Sequence, residues 1–361
     1  MKRNIASALC VLSLAACAEE QVVVKPPPPP PPVVEAPPPP PEPPPPPPKP
    51  SLTELETTTL MTTTGGLNAH DAAKAASGYA EDALIRVAGM SDIEGRSALQ
   101  ANNQEWFDTL SNIKMGARRV WILGDTIVAE WVLTGNYTGT LFGTKGKDQP
   151  VGYAALSLFW FDGEGHIKEE HRYADVGAVA KQVSNKSPIP TVPEIPAAPQ
   201  MFAPAADAAA NVDVARSVYG AIENKNDNDL LARLTDDVAL EGQFGKVVGK
   251  AEAKKFFASF AKAFPDARLT LTNAWGTADG AIVEYVLTGT QRGPILGLAP
   301  TNRAIAVHAV DVMKMAGGKV SGVSTYSNGL ELLTELGAFK FPKPVVPPPP
   351  AAKPPPAAAK K

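Results

Sequence analysis

The chain states one pattern twice. From Thr53 to Leu336 residues recur at a spacing of 154: Trp121 corresponds to Trp275, Gly95 to Gly249 and Asp125 to Asp279. Glu130-Trp131-Val132-Leu133-Thr134-Gly135 falls without gaps on Glu284-Tyr285-Val286-Leu287-Thr288-Gly289. Repeats of about 20–50 residues mark solenoids and propellers, so a period this long marks a whole domain copied. Each copy then becomes a control for the other. A chemical group that one copy carries and the other lacks is not what makes the fold.

The second copy carries the cleaner pattern. Val214, Ala215, Val218, Ala221 and Ile222 recur at helical spacing, with Asn211 as the expected cap. Leu230, Leu231 and Leu234 predict a short second helix ending at Asp236-Asp237. Ala253, Phe256, Phe257, Phe260, Ala261 and Phe264 make an apolar stripe that Pro265 stops. Beyond Pro265 the period changes to two. Strands are expected from Leu269 to Trp275, Ala281 to Thr290, Ala304 to Met315 and Lys319 to Tyr326, with Asp279-Gly280 and Gly317-Gly318 as turns. The first copy follows, with helices at Ala72 to Tyr79 and Ala98 to Leu110. Its strands are expected at Ile113 to Leu123, Ile127 to Tyr137, Gly152 to Phe161 and His166 to Tyr173. Helices followed by an antiparallel meander predict an α+β layer: a curved sheet with helices packed on one face.

The ends of the chain carry other information. Lys2 and Arg3 precede the apolar Ile5 to Leu14, too short to span a bilayer, and Leu14-Ala15-Ala16-Cys17 follows. That ending resembles the lipobox of bacterial lipoproteins. The resemblance implies cleavage before Cys17, lipidation of its thiol, and attachment to a membrane in the bacterial cell envelope, at the outer membrane or periplasmic face. The other cysteine, Cys10, would leave with the signal, so no disulfide is expected. Of the 38 prolines, nineteen lie between Pro26 and Pro50. Proline fixes φ and lacks the amide donor, so this run reads as an extended spacer reaching roughly 80 Å. The expected organisation is a signal peptide at 1–16, a proline-rich tether at 17–50, domain one at 51–185, a proline-rich linker at 186–206, domain two at 207–340, and a disordered Pro/Ala/Lys-rich tail at 341–361. Lys343, Lys353, Lys360 and Lys361, with no acid among them, make that tail a possible contact for a cell-wall polyanion. A net charge of −3 gives no reason to expect a nucleic-acid partner.

The run Val283 to Thr290, then Gly293-Pro294, Pro300-Thr301-Asn302-Arg303, Gly318-Lys319-Val320 and Leu332 to Gly337, resembles the SnoaL-like polyketide cyclase family. In the first copy Trp131 to Gly139, Asp162-Gly163 and Ile167-Lys168-Glu169 to Asp175 carry the same resemblance. It implies two tandem domains of the nuclear-transport-factor-2-like (NTF2-like) cone fold, in which the sheet wraps around an apolar pocket. It also implies that cyclases of this family move a proton with a pocket carboxylate. The family's last-strand pattern maps onto Gly165 to Asp175 and so designates Asp175 as the candidate acid/base, with His171 and Tyr173 beside it.

On a strand Glu169, His171, Tyr173 and Asp175 share one face. In the second copy these positions are Gly322, Ser324, Tyr326 and Asn328, so copy two is expected to be catalytically empty. A helix cap is the competing role for Asp175, because it precedes the segment Val176 to Val183. Trp131, Tyr326 and Asn328 are the expected pocket positions. Glu130 and Glu284 occupy equivalent places, which points to a role in the fold. His70, His166, His171 and His308 show no metal-ligand spacing, and no phosphate-binding glycine motif is present, so no cofactor is expected. Two functions remain: an envelope lipoprotein that binds a small apolar ligand or a protein partner, or a cyclase/isomerase working through domain one. The two domains are also expected to be able to pair as an intramolecular pseudo-dimer across their linker.

Overall fold

The computed structural model describes residues 51–141, 143–184, 191–203, 205, 208–242 and 245–340. The expected signal peptide, Cys17, the expected tether and the expected tail lie outside the described residues. The first domain begins with α1 (Leu52–Asn68) and α2 (Ala72–Ala76), followed by β1 (Tyr79–Val87), β2 (Ile93–Glu94) and α3 (Arg96–Thr109). The long strands β3 (Leu110–Leu123) and β4 (Thr126–Tyr137) come next, then the two-residue pair β5 (Thr140–Leu141) and β6 (Thr144–Lys145). Strands β7 (Gln149–Phe161) and β8 (Ile167–Ala174), helix α4 (Val176–Ser184) and the linker strand β9 (Gln200–Phe202) complete it. The second domain runs α5 (Ala209–Glu223), α6 (Asp227–Ala232), β10 (Leu234–Gly242), β11 (Gly245–Val248), α7 (Lys250–Ala263), β12 (Arg268–Thr277), β13 (Gly280–Thr290), β14 (Ala304–Ala316), β15 (Lys319–Ser327) and α8 (Gly329–Glu335).

The two sheets share one topology, β2-β1-β8-β7-β4-β3-β9 and β11-β10-β15-β14-β13-β12. The long strands form the expected meander. Parallel pairs interrupt it, however: β1 and β10 return beside the last strands β8 and β15, and β9 runs parallel to β3 at the edge of the first sheet. Gly95 and Gly249 recur for a backbone reason. Each stands at the start of the long helix over its sheet, α3 or α7, with φ of 86° and 89°, a region that L side chains rarely enter.

Local expectations differ from the structure at several places, and Tyr79, expected to close a helix, opens β1 instead. The Thr-rich α1 has a weak apolar pattern, but it opens on a reciprocal capping box between Ser51 and Glu54. Asn211 lies inside α5, where its amide donates to the Thr277 carbonyl instead of capping. Leu234 belongs to β10, not to the preceding helix, and its side chain is buried in the core.

Most of β4 and β13 is buried on both faces, which an antiparallel strand at a solvent boundary would not show. Two packed layers explain this. The concave faces hold the separate cores of the two cones. The opposite faces meet in a third cluster that joins Trp121, Val128, Leu156, Leu158 and Tyr173 of domain one to Ile282, Val310 and Val312 of domain two. Trp160 and Trp275 lie 6.3 Å apart between ring centres in this layer. The linker strand β9 pairs with β3 and stacks Phe202 on Trp121 at 5.2 Å.

Candidate functional site

Because side chains alternate along each strand, every sheet divides its residues between cone and domain boundary. On β8 the boundary face carries His171 and Tyr173, with Asp175 just past the strand's end, and the cone face carries Glu170 and Arg172. The three expected acid/base residues therefore share a face, and that face is turned toward the second domain.

His171 Nδ1 stands 2.5 Å from Glu284 Oε1, and its Nε2 lies 2.9 Å from Glu169. Tyr173 donates its hydroxyl to the same Glu284 oxygen at 2.6 Å. These side chains line a cleft between the domains together with His308 and Glu331, which form a 2.7 Å pair of their own. Burial works against the His171 imidazolium, yet the Glu284 and Glu169 carboxylates hold its pKa above the ordinary value. Asp175 lies outside this cleft and outside both cones. Its Oδ1 accepts from the Gly177 amide at 3.1 Å at the start of α4, and from the Gly329 amide of the second domain at 3.2 Å. Burial raises its pKa despite those bonds. Tyr326 and Asn328 also stand at the domain boundary. Tyr326 donates to Glu130 at 2.6 Å, while Asn328 caps α8 and donates to the Ala88 carbonyl at 2.9 Å.

The first cone encloses a cavity of about 130 Å³ with Leu60, Trp106, Ile113, Leu133 and Phe159 among its apolar walls. Trp131 lines it and begins a buried polar chain. Its indole donates to Ser157 at 3.0 Å, Ser157 donates to Glu170 at 2.7 Å, and Tyr79 donates to the other Glu170 oxygen at 2.6 Å. Arg172 grips Glu170 with two bonds of 2.8 Å, the fork geometry that suits a carboxylate. Burial opposes the Glu170 charge, but Arg172 outweighs it and keeps this carboxyl below its usual range. Tyr153 lines the same cavity, and burial pushes its hydroxyl up to about 12. In the first cone, then, the acid has a resident cation.

The second cone keeps the shape and changes the chemistry. Its cavity, also about 130 Å³, is walled by Phe256, Phe257, Phe260, Leu269, Leu287, Val307 and Met313. At the positions of Asn102 and Asn103 stand Phe256 and Phe257, at that of Tyr153 stands Val307, and at that of Arg172 stands Thr325. Copy two is nevertheless not empty of acid/base groups. Asp311, at the position of Ser157, faces this cavity and is 5% exposed. It accepts from Tyr219 at 2.8 Å and Thr325 at 2.7 Å, with Tyr285 at 3.4 Å. Burial dominates those bonds and pushes the Asp311 carboxyl up to about 6. Among the described residues no lysine, arginine or histidine lines this cavity. The sequence signal for Asp311 is slight: a single acid at the inward parity of Val307, Ala309 and Met313, on an otherwise apolar strand face.

The family profile for SnoaL-like polyketide cyclase matches residues 58–183 and again 213–336, well over half of the chain. The chain belongs to the SnoaL-like polyketide cyclase family. The two matched stretches cover the two cones, so each cone is a SnoaL-like domain in its own right. Among solved structures, AclR from Streptomyces galilaeus is 22% identical, with 37% of this chain and 100% of that one covered and a TM-score of 0.34. TsrD from Streptomyces laurentii is likewise 22% identical over 37% of this chain and 100% of its own, at 0.34. A protein from Jannaschia sp. CCS1 described as a SnoaL-like polyketide cyclase is 21% identical, covers 38% and 97%, and scores 0.35. Comparison with curated proteins gives no match.

Proposed function

We propose that this SnoaL-like tandem protein is an envelope lipoprotein, anchored through Cys17, whose two cones each bind a small apolar molecule. The observation that carries the reading is that each cone keeps a cavity of about 130 Å³ of its own, while the opposite faces of both sheets are occupied by each other. An apolar cavity of about 150 Å³ is large enough to take up benzene, so these volumes fit a ligand of about one ring. With its outer sheet face covered, each domain offers its concave side as the place for a partner. A concave, mostly apolar site with a few convergent polar groups suits a small molecule.

The test is a calorimetric titration of the full chain with benzyl alcohol. Saturable binding is expected, and Ala309→Phe, which places a ring in the second cavity, should remove the second cone's share. No saturable heat from the wild type would refute the proposal.

One observation favours a second reading, proton transfer beside a carbonyl group. A carboxyl held near neutrality in an apolar cavity is suited to general base work, and Asp311 has that environment in the second cone. Isomerisation of an apolar unsaturated ketone that disappears in Asp311→Asn would establish this activity. Turnover that persists in that variant, or none in the wild type, would dismiss it.

A further inference from the structure

The two cones solve the same electrostatic problem differently, and one solution is incomplete. An ionised carboxylate inside a protein needs a paired charge or enough hydrogen bonds to replace water. Glu170 in the first cone has both: a two-bond grip from Arg172 and donors from Tyr79 and Ser157. Among the described residues Asp311 has three hydroxyl donors and no cation. Its Oδ1 accepts from Thr325 and, at 3.4 Å, from Tyr285, while Oδ2 accepts from Tyr219 alone. A carboxylate offers about four acceptor positions, so one remains on Oδ2.

The walls around this acid are aromatic. Phe256, Phe257, Phe260, Tyr219 and Tyr285 line the cavity. Ring faces attract a cation through their quadrupole, more strongly where water is excluded. The mouth has the same sign preference. Glu241 stands there with an exposed side chain, and its nearest cation, Lys246, is 4.0 Å away, at the edge of pairing.

Resting on the reading that the cones bind small apolar molecules, we propose that the second cone takes an apolar amine, whose ammonium group supplies to Asp311 the positive charge that Arg172 supplies to Glu170. The cavity volume restricts the amine to about one ring, with its hydrocarbon part against the phenylalanines. The hydroxyls of Tyr219 and Tyr285 are held well above their ordinary pKa by burial and by the Asp311 charge, so they remain neutral donors throughout. Asp311 is then the titrating group that faces the ligand. The other charged groups near it are Glu241 at the mouth and its neighbour Lys246. Below pH of about 6 Asp311 is protonated and the amine loses its counter-charge. The first cone, already neutral through its Arg172–Glu170 pair, gains nothing from a cation.

The experiment is calorimetric titration of the full chain with benzylamine and with benzyl alcohol, at pH 7.5 and pH 5. Benzylamine is expected to bind at least about ten-fold more tightly at pH 7.5 than at pH 5, while benzyl alcohol changes less than about two-fold. Asp311→Asn, nearly isosteric, is expected to remove the preference for the amine and to keep the alcohol. Equal affinity of the two probes at both pH values in the wild type would overturn the proposal and leave the cavity reading standing. So would an amine preference that survives in Asp311→Asn. If neither probe bound the wild type, the cavity reading itself would fail. The wild-type pH comparison needs no variant, so the proposal stays testable even if Asp311→Asn folds poorly.

Discussion

Tyr326 reaches across the domain boundary to donate its hydroxyl to Glu130 at 2.6 Å, and Tyr173 makes the same bond back to Glu284 at 2.6 Å. The contact is isologous in the sense of a two-fold dimer, although both partners belong to one chain. The neighbours repeat as well. Arg118 and Arg119 hold Glu130, and at their equivalent positions Thr272 and Asn273 donate to Glu284 at 3.1 and 2.5 Å. What the duplicated glutamates and tyrosines share is thus a join between the copies. The two halves of the join differ: one side is held by arginine, the other by histidine.

Glu130 is 2% exposed, and removing its carboxylate leaves Arg119 and Tyr326 facing an empty acceptor. Glu130→Ala is expected to cost about 3–5 kcal/mol, as for breaking a buried pair from one side. Tyr326→Phe, which loses one bond to a charged acceptor, should cost about 1.5–3 kcal/mol. Urea unfolding with an unchanged slope measures both. Losses below about 0.5 kcal/mol in both variants would mean that the join contributes nothing.

The histidine side is sensitive to pH. Burial opposes the His171 charge, but Glu284 and Glu169 raise its pKa in the folded chain, so folding favours its protonated form. The resulting stability is complete below the unfolded value, about 6.5, and is lost as pH rises through the folded value. Glu284, whose pKa the same pairing lowers against its own burial, contributes in the opposite direction. Its share is present above about 4.3 and disappears as pH falls through the folded value. His171→Ser, the residue of the other copy, should flatten the decline in stability above pH of about 6.5. Thermal unfolding from pH 6 to 9 reads this, and an unchanged profile would contradict it.

Asp311 gives a second signature, of the same sign as that of His171 but in a lower pH window. Its folded pKa is raised to about 6, so between the unfolded value of about 3.9 and about 6 the folded chain binds more protons than the unfolded one. Stability should therefore fall as pH rises through that window, by about 3 kcal/mol for a shift of two units. Asp311→Asn should remove this slope in denaturant unfolding at pH 4, 5, 6 and 7. A slope equal in variant and wild type would place the titration elsewhere.

Asp175 accepts the Gly177 amide at one helix start and the Gly329 amide across the boundary. Asp175→Ala is expected to lower stability by about 0.5–2 kcal/mol, the loss typical of a cap. Benzyl alcohol binding should stay within about two-fold of the wild type in the calorimetric assay. A large loss of binding without a loss of stability would instead support a direct role in a pocket.

Much of the fold was legible in local pattern. The 154-residue repeat, the change from helical to period-two spacing, and the turns at Asp279-Gly280 and Gly317-Gly318 are readable along the chain, and they specify two α+β layers; the cone came from the family resemblance. The functional faces were less readable, because alternation separates two faces without saying which one meets the ligand. On β8 the chemically conspicuous His171 and Tyr173 face the other domain, while Glu170 and Arg172 face the cavity. Their assignment depends on the register of β8 against β7 and β1, and on the second sheet packing behind it. The partner of Glu130 lies 196 residues away, and no local pattern names it. Asp311 was hidden for the same reason: a single acid on an apolar strand face becomes a site when Tyr219 from α5 and Thr325 from β15 converge on it. The helix α1 escaped the apolar periodicity through its threonines, although the Ser51–Glu54 capping box marks where it begins.

Each cone has a pocket of its own, and the second has Asp311 in its wall. A crystal of the folded region, grown from the full chain and soaked in benzyl alcohol, tests this most directly. The alcohol is expected in the second cone among Phe256, Phe257 and Phe260, in the cavity that Asp311 lines. A second cone closed by its own side chains, with no bound alcohol and Asp311 sealed from the cavity, would contradict it.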